Sequence, residues 1–256
     1  FSFGVRDVFR HPTPRGLAAL VETTDDQPIQ VVPGAGQLGN GRVLLSHGQK
    51  RLWLLSEVEG QDIAYNMPGV FLLHEEPDLD LLEQSVRALM QRHDVLRTLI
   101  CPDEEGNPLG VLTNLPSEDI VLELHVDREN LDTAIRSEAG RPFDLSKNYP
   151  LRVSLINAGD AGLYLSITLH HHAGDEHSVD LLLGELSEIY NALKENRKPD
   201  LPELPFQYAD WAAAEAESKI GYEKILNERV KELKGYSTTL NFPSFGEIIT
   251  ETCGVF

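Results

Sequence analysis

Cysteine is scarce: Cys101 and Cys253 are the only two in 256 residues, so the fold must rest on a packed core and not on a framework of disulfides. That usage suits a reducing compartment, and a cytoplasmic location is expected. Cationic residues are also few, with 22 Lys and Arg against 41 Asp and Glu and a formal net charge of −19. Nucleic acids and anionic bilayers are held mainly through Lys and Arg, so neither is an expected partner. No run approaches the roughly 18 apolar residues of a membrane span, and the first residues lack the basic-then-apolar order of a secretory signal. Hydrophobic residues make up 41% of the chain, enough for a sizeable core.

Residues 1 to 22 read as a short helical piece in which Leu17, Ala18 and Leu20 recur at helical spacing. Residues 23 to 43 have linker composition, with Asp25, Asp26, Pro28, Pro33 and four glycines between Gly34 and Gly41. From Leu44 the pattern becomes dense. Helices are predicted over 46–56, 79–93 and 128–140, and strands over 69–73, 96–101, 109–113, 121–126, 151–156 and 162–170. Val179, Leu182, Leu183, Leu186, Ile189, Tyr190 and Leu193 mark a further amphipathic helix that Ser178 is placed to cap. A long polar helix is predicted from about 208 to 233. Mixed strands and helices of this kind point to a layered α/β (α+β) sandwich.

The densest chemistry lies in Leu169-His170-His171-His172-Ala173-Gly174-Asp175-Glu176-His177-Ser178, which ends a strand and opens a helix. Strand alternation groups His171 with the apolar Leu163, Leu165, Ile167 and Leu169, and His170 and His172 with Tyr164, Ser166 and Thr168. His171 is thus expected to enter an apolar interior, where an unsatisfied polar ring costs about 1 to 3 kcal/mol, and His172 and His177 are read as surface residues. Neighbouring strand residues face opposite ways, so the three histidines do not converge on one ion and no metal site is expected.

The cluster resembles the His-His-x-x-x-Asp-Gly motif of nonribosomal peptide synthetase condensation domains, members of the chloramphenicol acetyltransferase-like superfamily, with His170, His171 and Asp175 matching. Further blocks fall in the family's order. These are Leu45-Ser46 with Gln49, Arg51, Leu52 and Trp53, then Arg92-His93-Asp94-Val95-Leu96-Arg97-Thr98, and later Tyr208-Ala209-Asp210-Trp211. Tyr65 to Pro68 and Pro142-Phe143-Asp144-Leu145 are also similar to family sequences. Residues 44–215 would then be the N-terminal lobe of that two-layer sandwich, 216–256 a helix and the start of the crossover to a second lobe outside this sequence. Residues 1–22 resemble the C-terminal tail of a peptidyl carrier domain.

The resemblance implies amide formation between a donor acyl or peptidyl thioester and an acceptor aminoacyl thioester. Upstream and downstream carrier domains would hold both on phosphopantetheine arms, with an adenylation domain in the same polypeptide; no cofactor is bound directly. About a tenth of a model α-amine is unprotonated at pH 7, so the reaction needs positioning and modest proton handling, a task that suits a histidine. His171 corresponds to the family's active-site residue, either as general base or as a group that positions the amine. His170, Asp175 and Arg97 are expected to be structural, with Asp175 paired to Arg97. Glu176 takes the motif's glycine position: either the loop does not need a left-handed residue there, or the site is altered. The alternatives are a non-catalytic carrier-binding or recruitment domain of the same fold, and an epimerase.

Overall fold

The computed structural model describes residues 10–21, 29–59, 63–218 and 222–235. Helix α1 spans Pro14–Val21, α2 His47–Glu59, α3 Leu79–Arg92, α4 Leu131–Gly140, α5 Glu176–Lys194, α6 Tyr208–Glu217 and α7 Tyr222–Leu233. Among the described residues, eight strands divide into two sheets. The smaller contains β1 (Gln37–Gly39), β2 (Arg42–Val43), β4 (Thr98–Pro102) and β5 (Pro108–Leu112), in the order β1-β2-β5-β4 and antiparallel throughout. The larger runs β3-β8-β7-β6, from β3 (Asn66–Leu73), β6 (Val121–His125), β7 (Leu151–Asn157) and β8 (Leu163–His170), with β6 and β7 parallel.

Strand β8 lies inside the larger sheet, and its alternation decides what packs on each face. Leu165, Ile167 and Leu169 join Val153 and Leu155 of β7 against Val86, Leu89 and Met90 of α3 and Leu186 and Ile189 of α5, forming the main core. Burying side chains of this size stabilises by about 1.5 to 3 kcal/mol each. On the opposite face Ser154, Ser166, Thr168 and His170 are also buried, and Glu138 of α4 accepts a 2.7 Å hydrogen bond from Ser154 there. A second cluster of Leu45, Ile100, Phe143 and Leu145, flanked by Trp53, lies beside the small sheet. Glu185 meets Arg92 at 3.0 Å and His93 at 2.6 Å and so ties α5 to the end of α3.

Two expectations are corrected. The glycine-rich stretch read as linker to residue 43 contributes β1 and β2 to the small sheet. The single helix predicted for 208–233 is described as α6 and α7, which fall in separate compact units, residues 1–217 and 218–256. Residues 1–9, the start of the carrier-like segment, and the end of the chain from 236 lie outside the described residues. No helix among the described residues is long and apolar enough to cross a membrane.

Candidate active site

Strand β8 ends at His170, whose N–H donates to Pro150 O at 2.8 Å, and the ladder continues one residue further as His171 N–H donates to Tyr65 O at 2.9 Å. The chain then turns, with Ala173 N–H donating to His170 O at 2.9 Å. A close approach makes the turn possible: a Cβ on Gly174 would lie 2.7 Å from Ser178 Cβ and 2.9 Å from Leu169 Cδ2. Helix α5 starts immediately. Its N-cap is Asp175, which accepts from Ser178 N–H at 2.9 Å, while Ser178 Oγ accepts from Asp175 N–H at 3.1 Å, a reciprocal capping box. The expected cap, Ser178, is therefore the third residue of the helix. Ser178's hydroxyl and N–H hold the Asp175 carboxyl below the ordinary carboxylate range.

This geometry settles the question raised by Glu176. As the first residue of α5 it needs no left-handed backbone; the non-glycine residues with positive φ among those described are Asn40 and Asn196. A carboxylate in a first helical turn is also favoured by the helix dipole.

The structure reverses the expected placement of the histidines. His171, one residue beyond the last of β8, is exposed, and its ring lines an open cleft of about 380 Å³ together with Gln49, Arg51, Leu52, Tyr65 and Tyr208. Nδ1 of His171 lies 2.7 Å from Gly174 O. A carbonyl only accepts, so Nδ1 carries the proton and Nε2 is left as the ring's proton-accepting atom.

His172, read as a surface residue, is instead buried at 4% exposure beside His170 at 3%. Their Nδ1 atoms are 3.0 Å apart, and His170 Nδ1 also accepts from His172 N–H at 3.2 Å. His170 therefore carries its proton on Nε2, and His172 donates from Nδ1. Burial, then the neighbouring His170, pushes the His172 pKa down to about 3. Burial, then His171, lowers that of His170 to about 4. Both rings are neutral across the physiological range. The edge of Phe143 meets the His170 ring at 5.6 Å between centroids, and Arg152 lies 4.2 Å over the Phe143 ring. Gln49 donates to His172 O at 3.2 Å, anchoring α2 to the turn.

The expected Arg97–Asp175 pair does not form. Arg97 meets Asp94 at 2.6 Å and donates to Thr113 O at 3.0 Å, while Asp175 is an exposed helix cap. Local partners outcompete the distant one at both residues. Accordingly, Asp175→Ala is expected to cost about 1 kcal/mol through the lost cap. In a double-mutant cycle with Arg97→Ala, read by urea unfolding, the two costs should add within about 0.5 kcal/mol. A coupling above about 1.5 kcal/mol would restore the pair.

Tyr208, from the last of the sequence blocks, places its hydroxyl 3.2 Å from Ser46 Oγ, and its ring lines the cleft while stacking on Trp211. Among the described residues no group of three or more His, Cys, Asp or Glu side chains is placed to hold a metal ion.

The structure thus presents a strand-turn-helix that offers one exposed histidine to a cleft, beside two sheets. The condensation-domain family model matches residues 40–226. The chain belongs to the condensation-domain family of nonribosomal peptide synthetases. It is 31% identical over 245 residues to one of the plipastatin synthase proteins of Bacillus subtilis strain 168, covering 94% of this chain and 6% of that protein. Against tyrocidine synthase 2 of Brevibacillus parabrevis it is 32% identical over 210 residues, covering 81% and 6%. Among solved structures, the X-domain in complex with OxyB from teicoplanin biosynthesis aligns with a TM-score of 0.71 at 23% identity, covering 82% of this chain and 48% of that one. The starter condensation domain of rhizomide synthetase aligns at 0.62 and 18%, covering 76% and 48%. These likenesses show the chloramphenicol acetyltransferase-like fold. The chain spans a small fraction of the curated synthetases and about half of the solved domains.

Proposed function

We propose that this chain is the His171-bearing lobe of an amide-forming condensation domain. In this reading the α-amine of an acceptor aminoacyl thioester attacks the carbonyl of a donor acyl or peptidyl thioester, and a carrier thiol is released. Both substrates ride on phosphopantetheine arms of carrier domains before and after this segment, in a cytoplasmic polypeptide that also holds an adenylation domain. Residues 1–22 are the tail of the upstream carrier.

The observation that carries the reading is the His171 ring, pinned through Nδ1 to Gly174 O and exposed to the cleft, with Nε2 left to accept a proton. A base held by one hydrogen bond in a fixed tautomer is oriented for the amine without needing burial. His170 and His172 set the turn from below, and Asp175 fixes where α5 begins.

The test is product formation by the full-length protein with donor and acceptor loaded on its carriers, followed by mass spectrometry. His171→Ala is expected to abolish the amide product while the melting temperature stays unchanged. Unaltered product formation would remove His171 from the reaction and favour a recruitment role. Exchange of the donor α-proton with deuterated solvent, without amide formation, would assign the site to epimerisation.

A further inference from the structure

Arg51 belongs to one of the ordered sequence blocks, yet the proton chemistry at His171 leaves it unused. It sits on the face of α2 that lines the His171 cleft, with Gly48, Leu52 and Leu55. It is exposed, and among the described residues it has neither an ion pair nor a hydrogen bond. An uncompensated guanidinium is notable in a chain with 41 carboxylates. Arginine stays charged at any working pH and offers a planar fork of donors.

We propose that Arg51 receives the negative charge that develops on the substrate carbonyl oxygen in this cleft, a role that rests on the amide-forming reading above. That reaction begins with a neutral carbonyl and a neutral amine. The amine nitrogen forms the C–N bond, the carbonyl π pair moves onto oxygen, and the nitrogen becomes cationic. Its proton passes to Nε2 of His171. The oxygen pair then re-forms C=O, the C–S bond breaks, and the departing sulfur takes the proton back from His171. Nothing is oxidised or reduced, and no further reactant is required.

The oxyanion in the middle of this sequence needs donors in place before it forms. Part of the histidine turn's own backbone is already engaged. The N–H groups of His171, His172 and Ala173 already donate to Tyr65 O, His170 Nδ1 and His170 O. The Tyr208 hydroxyl is engaged with Ser46 Oγ. Arg51 is the cation lining this cleft, and its charge is unspent on any carboxylate among the described residues.

The test compares Arg51→Ala, Arg51→Lys and His171→Ala in the full-length protein, by single-turnover amide formation at saturating loaded carrier. Losing a donor to a developing oxyanion lowers such rates by about 100-fold, and a loss of that order is expected for Arg51→Ala with the apparent carrier affinity unchanged. Arg51→Lys should fall between the two, since it restores a point charge without the fork. Added guanidinium ion should recover part of the rate of Arg51→Ala and none of that of His171→Ala. If Arg51→Ala keeps its rate while His171→Ala loses it, the oxyanion role is overturned and the amide-forming reading stands. If His171→Ala keeps its rate, the reading itself falls. A loss in Arg51→Ala that guanidinium does not relieve, or that comes with a lowered melting temperature, makes Arg51 a structural residue and overturns the role as well.

Discussion

Lowering the pH from 7.5 to 5.5 is expected to remove up to about 3 kcal/mol of folding stability, through the buried pair His170 and His172. In the unfolded chain each ring takes a proton with an ordinary pKa near 6.5. In the fold they resist protonation until about pH 4 and about pH 3. A pKa depressed by folding means that the unfolded state binds more protons as the pH falls. The stability contributed by the neutral pair is therefore whole above about pH 6.5, declines below it, and levels off only beneath the folded values. At pH 5.5 each ring accounts for about 1.4 kcal/mol, and the loss deepens toward pH 4.

The hydrogen bonding explains why the pair cannot relax around a proton. His170 Nδ1 accepts both from His172 N–H and from the His172 ring. A proton on that nitrogen would face two donors, and at His172 burial outweighs the backbone contact with Thr98 that favours a charge. Urea unfolding at pH 7.5, 6.5 and 5.5 checks this. His172→Leu should halve the loss over that window and change stability at pH 7.5 by no more than about 1 kcal/mol, because His170 Nδ1 keeps the backbone donor of residue 172. The carboxyls held low by the fold, Asp175 and Asp210 among them, titrate below this window. An equal acid loss in the wild-type and His172→Leu chains would place the sensitivity elsewhere.

Sequence periodicity reports most of the frame because its strongest signals are local. The alternation from Leu163 to His170 and the three-four spacing from Val179 to Leu193 each emerge as the element they suggest, β8 and α5. What escapes depends on partners far along the chain. Residues 37–43 are short, largely exposed and rich in glycine, and they become strands only because β5, some 70 residues away, supplies hydrogen-bond partners. His172 follows the strand's last residue, and alternation says nothing about the cover laid over the turn by Gln49, 123 residues earlier. The inward reading of His171 fails for a related reason: it extends the alternation one residue past the end of β8. Asp175 shows the opposite error, since a local capping box with Ser178 is available and satisfies it in place of the distant salt bridge.

Substitutions at the junction of α6 with residues 34–36 are expected to be comparably costly, about 3 kcal/mol each for Gly36→Ala and Asp210→Ala. A Cβ on Gly36 would lie 2.2 Å from the carbonyl carbon and oxygen of Ala209, an overlap with backbone that no rotamer change relieves. Asp210, 4% exposed, accepts from Gly36 N–H at 3.0 Å and from Gln207 N–H at 3.0 Å. Burial raises its pKa, but the backbone N–H groups of Gln207, Gly36 and Gly34 outweigh that and hold it below the ordinary carboxylate value. Truncation to alanine leaves these donors buried and unpaired, which is where the penalty arises. For a domain of this size the melting temperature should fall by roughly 6 to 12 °C. The effect should reach the cleft as well, since α6 starts at Tyr208, whose hydroxyl meets Ser46 at the head of α2. Thermal unfolding by circular dichroism checks both variants; a drop of less than about 2 °C would show that α6 holds its place without the Asp210 contacts.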